Sequence, residues 1–120
     1  MNHPLVLAYI GDAVYEYHIR KYLISLGITK VHELQQKSLL YVSAKSQRMH
    51  LERLVEANFL TEEELDIIRR GRNTKGTKSK SSDIITYRYA TGLECLLGYL
   101  DMNKKEDRII EIMNFIVGEA

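Results

Sequence analysis

From Leu5, steps of four and three residues pick out Leu5, Tyr9, Asp12, Glu16, Ile19, Leu23 and Leu26, the spacing of one face of an α-helix. Two carboxylates interrupt this otherwise apolar face. An ionised carboxylate without a partner is costly in a core, so a chain that places acids there has to provide a cation, a hydrogen-bonding partner or water. The pattern returns near the other end, where Tyr87, Ala90, Glu94, Leu97 and Asp101 follow one another by three or four and set Glu94 among apolar neighbours.

Helical signals follow one another along the chain. Pro4 suits a first helical position and Gly27 a C-terminal stop, which predicts a first helix of about 22 residues, roughly 33 Å long. Val6, Ile10, Val14 and Tyr17 form a second apolar stripe on it, so this helix is expected to be central and packed on several faces. Thr29 and Ser43 read as N-caps of two further helices, the first carrying Val31 and Leu34 and the second Met49, Leu51, Leu54 and Val55. Thr61 with Glu64 forms a capping box for a helix ending near Gly71, and Asn103 with Glu106 forms another for a last helix. Between them, Asp83 caps a helix through Tyr87, Leu93, Leu97 and Leu100. The segment from Gly71 to Ser82 has no apolar residue and reads as a loop. No strand and no internal repeat stand out, so the fold class expected is all-α, one domain over residues 1–120.

Composition restricts the function classes. The chain has 45% hydrophobic and 28% charged residues, as in a water-soluble globule, and the apolar stretch from Pro4 to Gly11 is far short of the ~18 residues of a membrane span. A secretory signal pattern is absent. The single cysteine, Cys95, excludes an intramolecular disulfide and a multi-cysteine zinc site. A cytoplasmic protein without membrane association is expected. The net charge of +1 hides an asymmetry: six cations and no acid lie between Arg69 and Ser82, leaving the rest of the chain net negative by five. Such a patch is what a polyanion would meet. Arg70, Arg72, Lys75, Lys78 and Lys80 are its candidate nucleic-acid contacts, with Lys45 and Arg48 on the helix after Ser43 as an extension. A solvated loop and solvated helix charges are the competing readings.

Gly11 precedes Asp12, and Gly98 lies one turn after Glu94. Glycine costs up to ~1 kcal/mol inside a helix, and close approach of two helix backbones is a common compensation. If the helices cross there, Asp12 and Glu94 face each other. Two carboxylates with waters suit Mg²⁺, which polarises phosphoryl oxygens in phosphodiester hydrolysis. The competing reading makes each acid half of a salt bridge, Asp12 with Arg20 or Lys21 and Glu94 with Arg88; the pattern alone leaves both open, and Glu16 fits a structural hydrogen bond better than a ligand. His3, His18, His32 and His50 have no ligand spacing. Tyr9, Tyr15, Tyr22, Tyr87 and Tyr99 fall where core or dimer packing would use them, and Cys95 reads as a small buried hydrophobe.

The wording of these helices is similar to a known family. LAYIGDAVYE, Leu7 to Glu16, and TGLECLLGYL, Thr91 to Leu100, resemble the two signature helices of ribonuclease III. VSAKSQ (Val42 to Gln47), RGRN (Arg70 to Asn73) and TYRYAT (Thr86 to Thr91) resemble its small Mini-III branch, and the likeness covers almost the whole chain. It implies a double-stranded-RNA endonuclease made of the catalytic domain alone, a Mg²⁺-dependent homodimer that leaves 5′-phosphate and 3′-hydroxyl ends. Its expected task is maturation of the large-subunit (23S) ribosomal RNA precursor, with a ribosomal protein as a further expected partner. Carried over, Asp12 is the main catalytic carboxylate and metal ligand, and Glu94 the second. Full-length relatives carry two more acids where this chain has Ala8 and Thr91; Mini-III members share this reduced set. The alternative is a scaffold that binds double-stranded RNA during ribosome assembly and cleaves it weakly or not at all.

Overall fold

The computed structural model describes residues 2–74 and 83–118. They form six helices and, among the described residues, no strand: α1 (Pro4–Ser25), α2 (Val31–Val42), α3 (Ala44–Glu56), α4 (Glu62–Asn73), α5 (Ile84–Met102) and α6 (Glu106–Val117). Lys75, Lys78 and Lys80 lie outside the described residues. The expected all-α class is what the fold shows.

Local chemistry sets the helix ends. Pro4 opens α1, the Nδ1 of His3 accepts from the backbone N–H of Leu5 at 3.1 Å, and Gly27 at φ +88° turns the chain after it. Ser43 accepts from the N–H of Ser46, and Asp83 from that of Thr86. The capping box of Thr61 and Glu64 is formed in both directions. Glu64 is buried and also takes two hydrogen bonds from Arg108 of α6, each 2.8 Å. Burial disfavours its charge, but these bonds prevail and hold the carboxyl below the usual range.

Three expected boundaries are corrected. Lys30, not Thr29, precedes α2, and no side chain caps it. Asn103 is the C-cap of α5, its amide donating to the carbonyl of Tyr99, and α6 starts after Lys105 with no side-chain cap. Gly71 lies inside α4, which continues to Asn73.

Helix α5 is the axis of the fold, packed against α1, α3, α4 and α6. Leu93, Cys95, Leu96 and Leu97 are fully enclosed in it. Two glycine contacts make the packing close. A Cβ on Gly11 would lie 1.7 Å from the carbonyl oxygen of Glu94, and one on Gly98 1.8 Å from that of Leu7. Helices α1 and α5 therefore touch backbone to backbone. On the other side of α5, a Cβ on Gly71 would lie 2.8 Å from the Cβ of Cys95.

The buried side of α1 is Leu7, Ala8, Gly11, Tyr15, Ile19 and Leu23. This is rotated from the expected stripe: Tyr9 is 83% exposed and Asp12 lies at the surface. The second apolar stripe is packed in part: Val14 lies half-buried against the core and Ile10 is half-buried, whereas Val6 and Tyr17 are more than half exposed. Tyr15 is enclosed and donates its hydroxyl to the carbonyl of Tyr41 at 2.7 Å. Because no side chain larger than hydrogen fits between α1 and α5, Gly98→Ala is expected to destabilise the protein by at least about 3 kcal/mol, the upper range for overpacking, measured by urea unfolding. A loss below about 1 kcal/mol would show that the crossing yields.

Candidate active site

The glycine crossing dictates where the acids go. Asp12 follows Gly11 on α1, and Glu94 supplies the carbonyl that lies against Gly11. Their side chains emerge beside the contact and come within hydrogen-bonding reach of each other. Asp12 is exposed and Glu94 half-buried, so the pair has one open side.

The electrostatics are unfavourable as they stand. Burial, the charge of Asp12, its hydrogen bond and the charge of Glu16 push the Glu94 carboxyl up to about 8, against a usual value of 4.5. Among the described residues neither acid has a cationic side chain within ion-pairing distance. The salt-bridge reading, with Arg20, Lys21 or Arg88 as partner, is thereby set aside. Glu94 is held from one side by Gln47 of α3, whose Nε2 donates to its Oε2 at 3.3 Å.

The two positions where longer relatives carry further acids are filled by small buried residues. Ala8 is packed in the core, and Thr91 is buried with its hydroxyl on the carbonyl of Tyr87 at 3.1 Å. Glu16 is half-buried and adds only repulsion toward Glu94. Among the described residues no group of three or more His, Cys, Asp or Glu is placed to hold a metal ion. A metal here would have two protein carboxylates and water, the donor set that suits Mg²⁺.

The basic candidates divide by location. Arg70 is exposed at the end of α4 and, with Arg69, pairs with Asp66, its own bond being 3.1 Å. Arg72 is half-buried, with its guanidinium 4.6 Å from the ring centre of Tyr89. Arg48 lies over the same ring at 4.9 Å and donates to the hydroxyl of Thr86 at 2.9 Å. Lys45 is exposed on the rim of an open cleft of about 890 Å³ that Arg48, Met49, Thr86 and Tyr87 also line. Arg48 of α3 and Arg72 of α4 thus meet at the ring of Tyr89.

The comparisons with known proteins bear on what this arrangement is for. The family described as the Ribonuclease III domain matches residues 5–105, which include both acids, Gly11, Gly98 and the intervening helices. The chain belongs to the ribonuclease III domain family. Mini-ribonuclease 3 of Enterococcus faecalis is 46% identical over 114 residues, covering 94% of this chain and 86% of the relative. Mini-ribonuclease 3 of Staphylococcus aureus is 44% identical over 115 residues, covering 95% and 86%. A crystal structure of a Fusobacterium nucleatum protein superposes with a TM-score of 0.82 at 32% identity, covering 96% of this chain and 91% of that one. The small ribonuclease III branch suggested by the sequence is therefore the right one.

Sequence reasoning singled out Asp12 and Glu94 but passed over Gln47. A signal was present: Gln47 shares its helix side with Leu51 and Leu54, so a neutral polar residue stands on the core-facing stripe of α3. The raised carboxyl also has a consequence for stability. Between pH 4.5 and about 8 the folded chain keeps a proton on Glu94 that the unfolded chain releases, so this group's contribution falls as pH rises through that window. In metal-free buffer, wild type should lose stability relative to Glu94→Gln between pH 5 and 8, read by thermal unfolding; parallel curves for the two proteins would contradict the raised carboxyl.

Proposed function

We propose that the chain is a Mg²⁺-dependent endoribonuclease that cuts double-stranded RNA and leaves 5′-phosphate and 3′-hydroxyl ends. The observation that carries this reading is the convergence of Asp12 and Glu94 on one open-sided site with no cationic side chain of the described residues paired to either. Family membership and Mini-ribonuclease 3 relatives over nearly the whole chain support ribonuclease chemistry. Magnesium, when bound, supplies Lewis-acid polarisation of the scissile phosphoryl group and eases deprotonation of an attacking water. Asp12, exposed at the opening, contributes a carboxylate to the cation and faces the RNA backbone. Glu94, recessed behind it, contributes the second carboxylate and is kept from swinging away by Gln47.

The substrate reading rests on shape and charge. A-form RNA presents phosphates and 2′-hydroxyls rather than a base code in its accessible groove. In this reading Lys45, Arg70 and Arg72, with Lys75, Lys78 and Lys80, hold the backbone while the acids engage the scissile phosphate. The enzyme acts in the cytoplasm on the large-subunit ribosomal RNA precursor.

The active form in this reading is a symmetric homodimer. Val6, Tyr9 and Tyr17 leave a large apolar area of α1 uncovered beside Asp12, more than a lone surface residue explains. A second copy would cover it and repeat the basic residues, so that two weak interactions with the RNA add through avidity.

Asp12→Asn is expected to lower cleavage of a structured RNA by more than about 100-fold, since even groups that only orient metal ligands are worth about 10- to 100-fold. The metal-free variant should be at least as stable as wild type, because one repelling charge is gone. Cleavage by the variant at the wild-type rate would remove Asp12 from the catalytic site; a wild type that binds the RNA without cutting it would end the nuclease reading and favour the binding module. Neutralising Lys75, Lys78 and Lys80 should flatten the salt dependence of RNA affinity by roughly 0.7 to 0.9 log units for each phosphate that is no longer neutralised. An unchanged slope would remove these lysines from the interface.

A further inference from the structure

Gln47 is only 3% exposed, yet its side chain is not explained by packing. Its Nε2 donates to the carbonyl of Val42 at 3.1 Å and to Oε2 of Glu94 at 3.3 Å. Its Oε1 is buried and, among the described residues, has no hydrogen-bond partner. A carbonyl only accepts, so Val42 decides which end of the amide is nitrogen. With one N–H on Val42, at the last turn of α2, the other is directed at Glu94. Both donors are engaged and the acceptor is stranded.

A buried acceptor left unpaired is a cost that a methionine or leucine of similar volume would avoid. What such a residue could not provide is the N–H on Glu94. Around this carboxyl, burial, Asp12 and Glu16 all disfavour the charge, whereas the hydrogen bond from Gln47 works in its favour. An arginine or lysine there would also hold the carboxylate, but would neutralise it and compete with an incoming cation. A neutral amide orients without competing.

We propose that Gln47 is the positioning residue of the acid pair: it ties Oε2 of Glu94 to α3 and leaves the other oxygen to meet Asp12 and the cation. This rests on the reading of Asp12 and Glu94 as a shared magnesium site. The joint between α2 and α3 thereby becomes part of the site, because the carbonyl of Val42 sets the amide and the amide sets Glu94.

The test compares the full-length wild type with Gln47→Met, and with Gln47→Asn, which keeps the amide but shortens its reach. Magnesium alone is titrated while thermal unfolding is followed, and kcat and KM are measured on a double-stranded RNA across the same titration. Gln47→Met is expected to melt close to wild type without metal but to need about tenfold more magnesium for the same thermal shift. Its kcat should fall at fixed magnesium and partly recover at high magnesium, with KM for RNA unchanged, and Gln47→Asn should behave alike. A magnesium midpoint within twofold of wild type, or a loss of activity that only follows a loss of melting temperature, would overturn the proposal. Should the variants not fold, the ¹⁵N-labelled side-chain amide of Gln47 in the wild type decides: its resonances should shift as magnesium binds, and unmoved resonances would overturn the role. A wild type that neither cleaves nor responds to magnesium would overturn the magnesium site and, with it, this inference. A responsive wild type with an indifferent Gln47 overturns the inference alone.

Discussion

The contact between the backbones of α1 and α5 is the constraint on which the rest of the molecule depends. Gly11 and Gly98 each leave room for a carbonyl oxygen of the opposite helix, and that approach decides both the core and the site. It places Leu7 and Tyr15 of α1 against the enclosed leucines of α5. It also brings one acid of each helix to the same edge of the contact. A helix pair held apart by ordinary side chains has interaxial distances of about 8–10 Å, and a carboxylate on each would then have more space to avoid the other.

That closeness has a cost and a use. Glu94 is half-buried, faces a second carboxylate and feels a third from Glu16, with no cationic side chain of the described residues beside it. Elsewhere the same fold resolves buried charge in the ordinary way: Glu64 is enclosed and takes two hydrogen bonds from Arg108. The contrast between Glu64 and Glu94 is the clearest sign that Glu94 is not there for stability. Sites that retain unfavourable charge commonly do so because a ligand completes them.

The sequence made the helical class, most caps and the acid pair legible, because each depends on neighbours within a few positions. Ser43, Thr61 and Asp83 cap by bonds spanning three residues, and the glycines beside Asp12 and Glu94 announced a close crossing from spacing alone. What it hid depends on tertiary placement. The expected apolar stripe of α1 was rotated from the buried one because α1 is apolar almost all round, and periodicity alone cannot say which side meets α5. Asn103 with Glu106 has capping-box spacing, yet Asn103 closes α5 instead of opening α6. Gln47 escaped notice because an amide carries no charge to stand out, and its importance appears only when Val42 and Glu94 are seen on either side of it. The run of cations from Arg69 onward carried no sign of the local partners either: Arg70 is paired with Asp66 and Arg72 lies over Tyr89.

Asp12 and Glu94 form the proposed site only if their oxygens share one divalent ion. The most direct measurement is a crystal of the protein grown with Mn²⁺, whose anomalous scattering locates the ion independently of the surrounding density. The expected result is one strong peak between α1 and α5, about 2.0–2.2 Å from a carboxylate oxygen of Asp12 and bound to Glu94 directly or through a single water. A peak elsewhere, with Asp12 and Glu94 sharing no ion at saturating manganese, would contradict it.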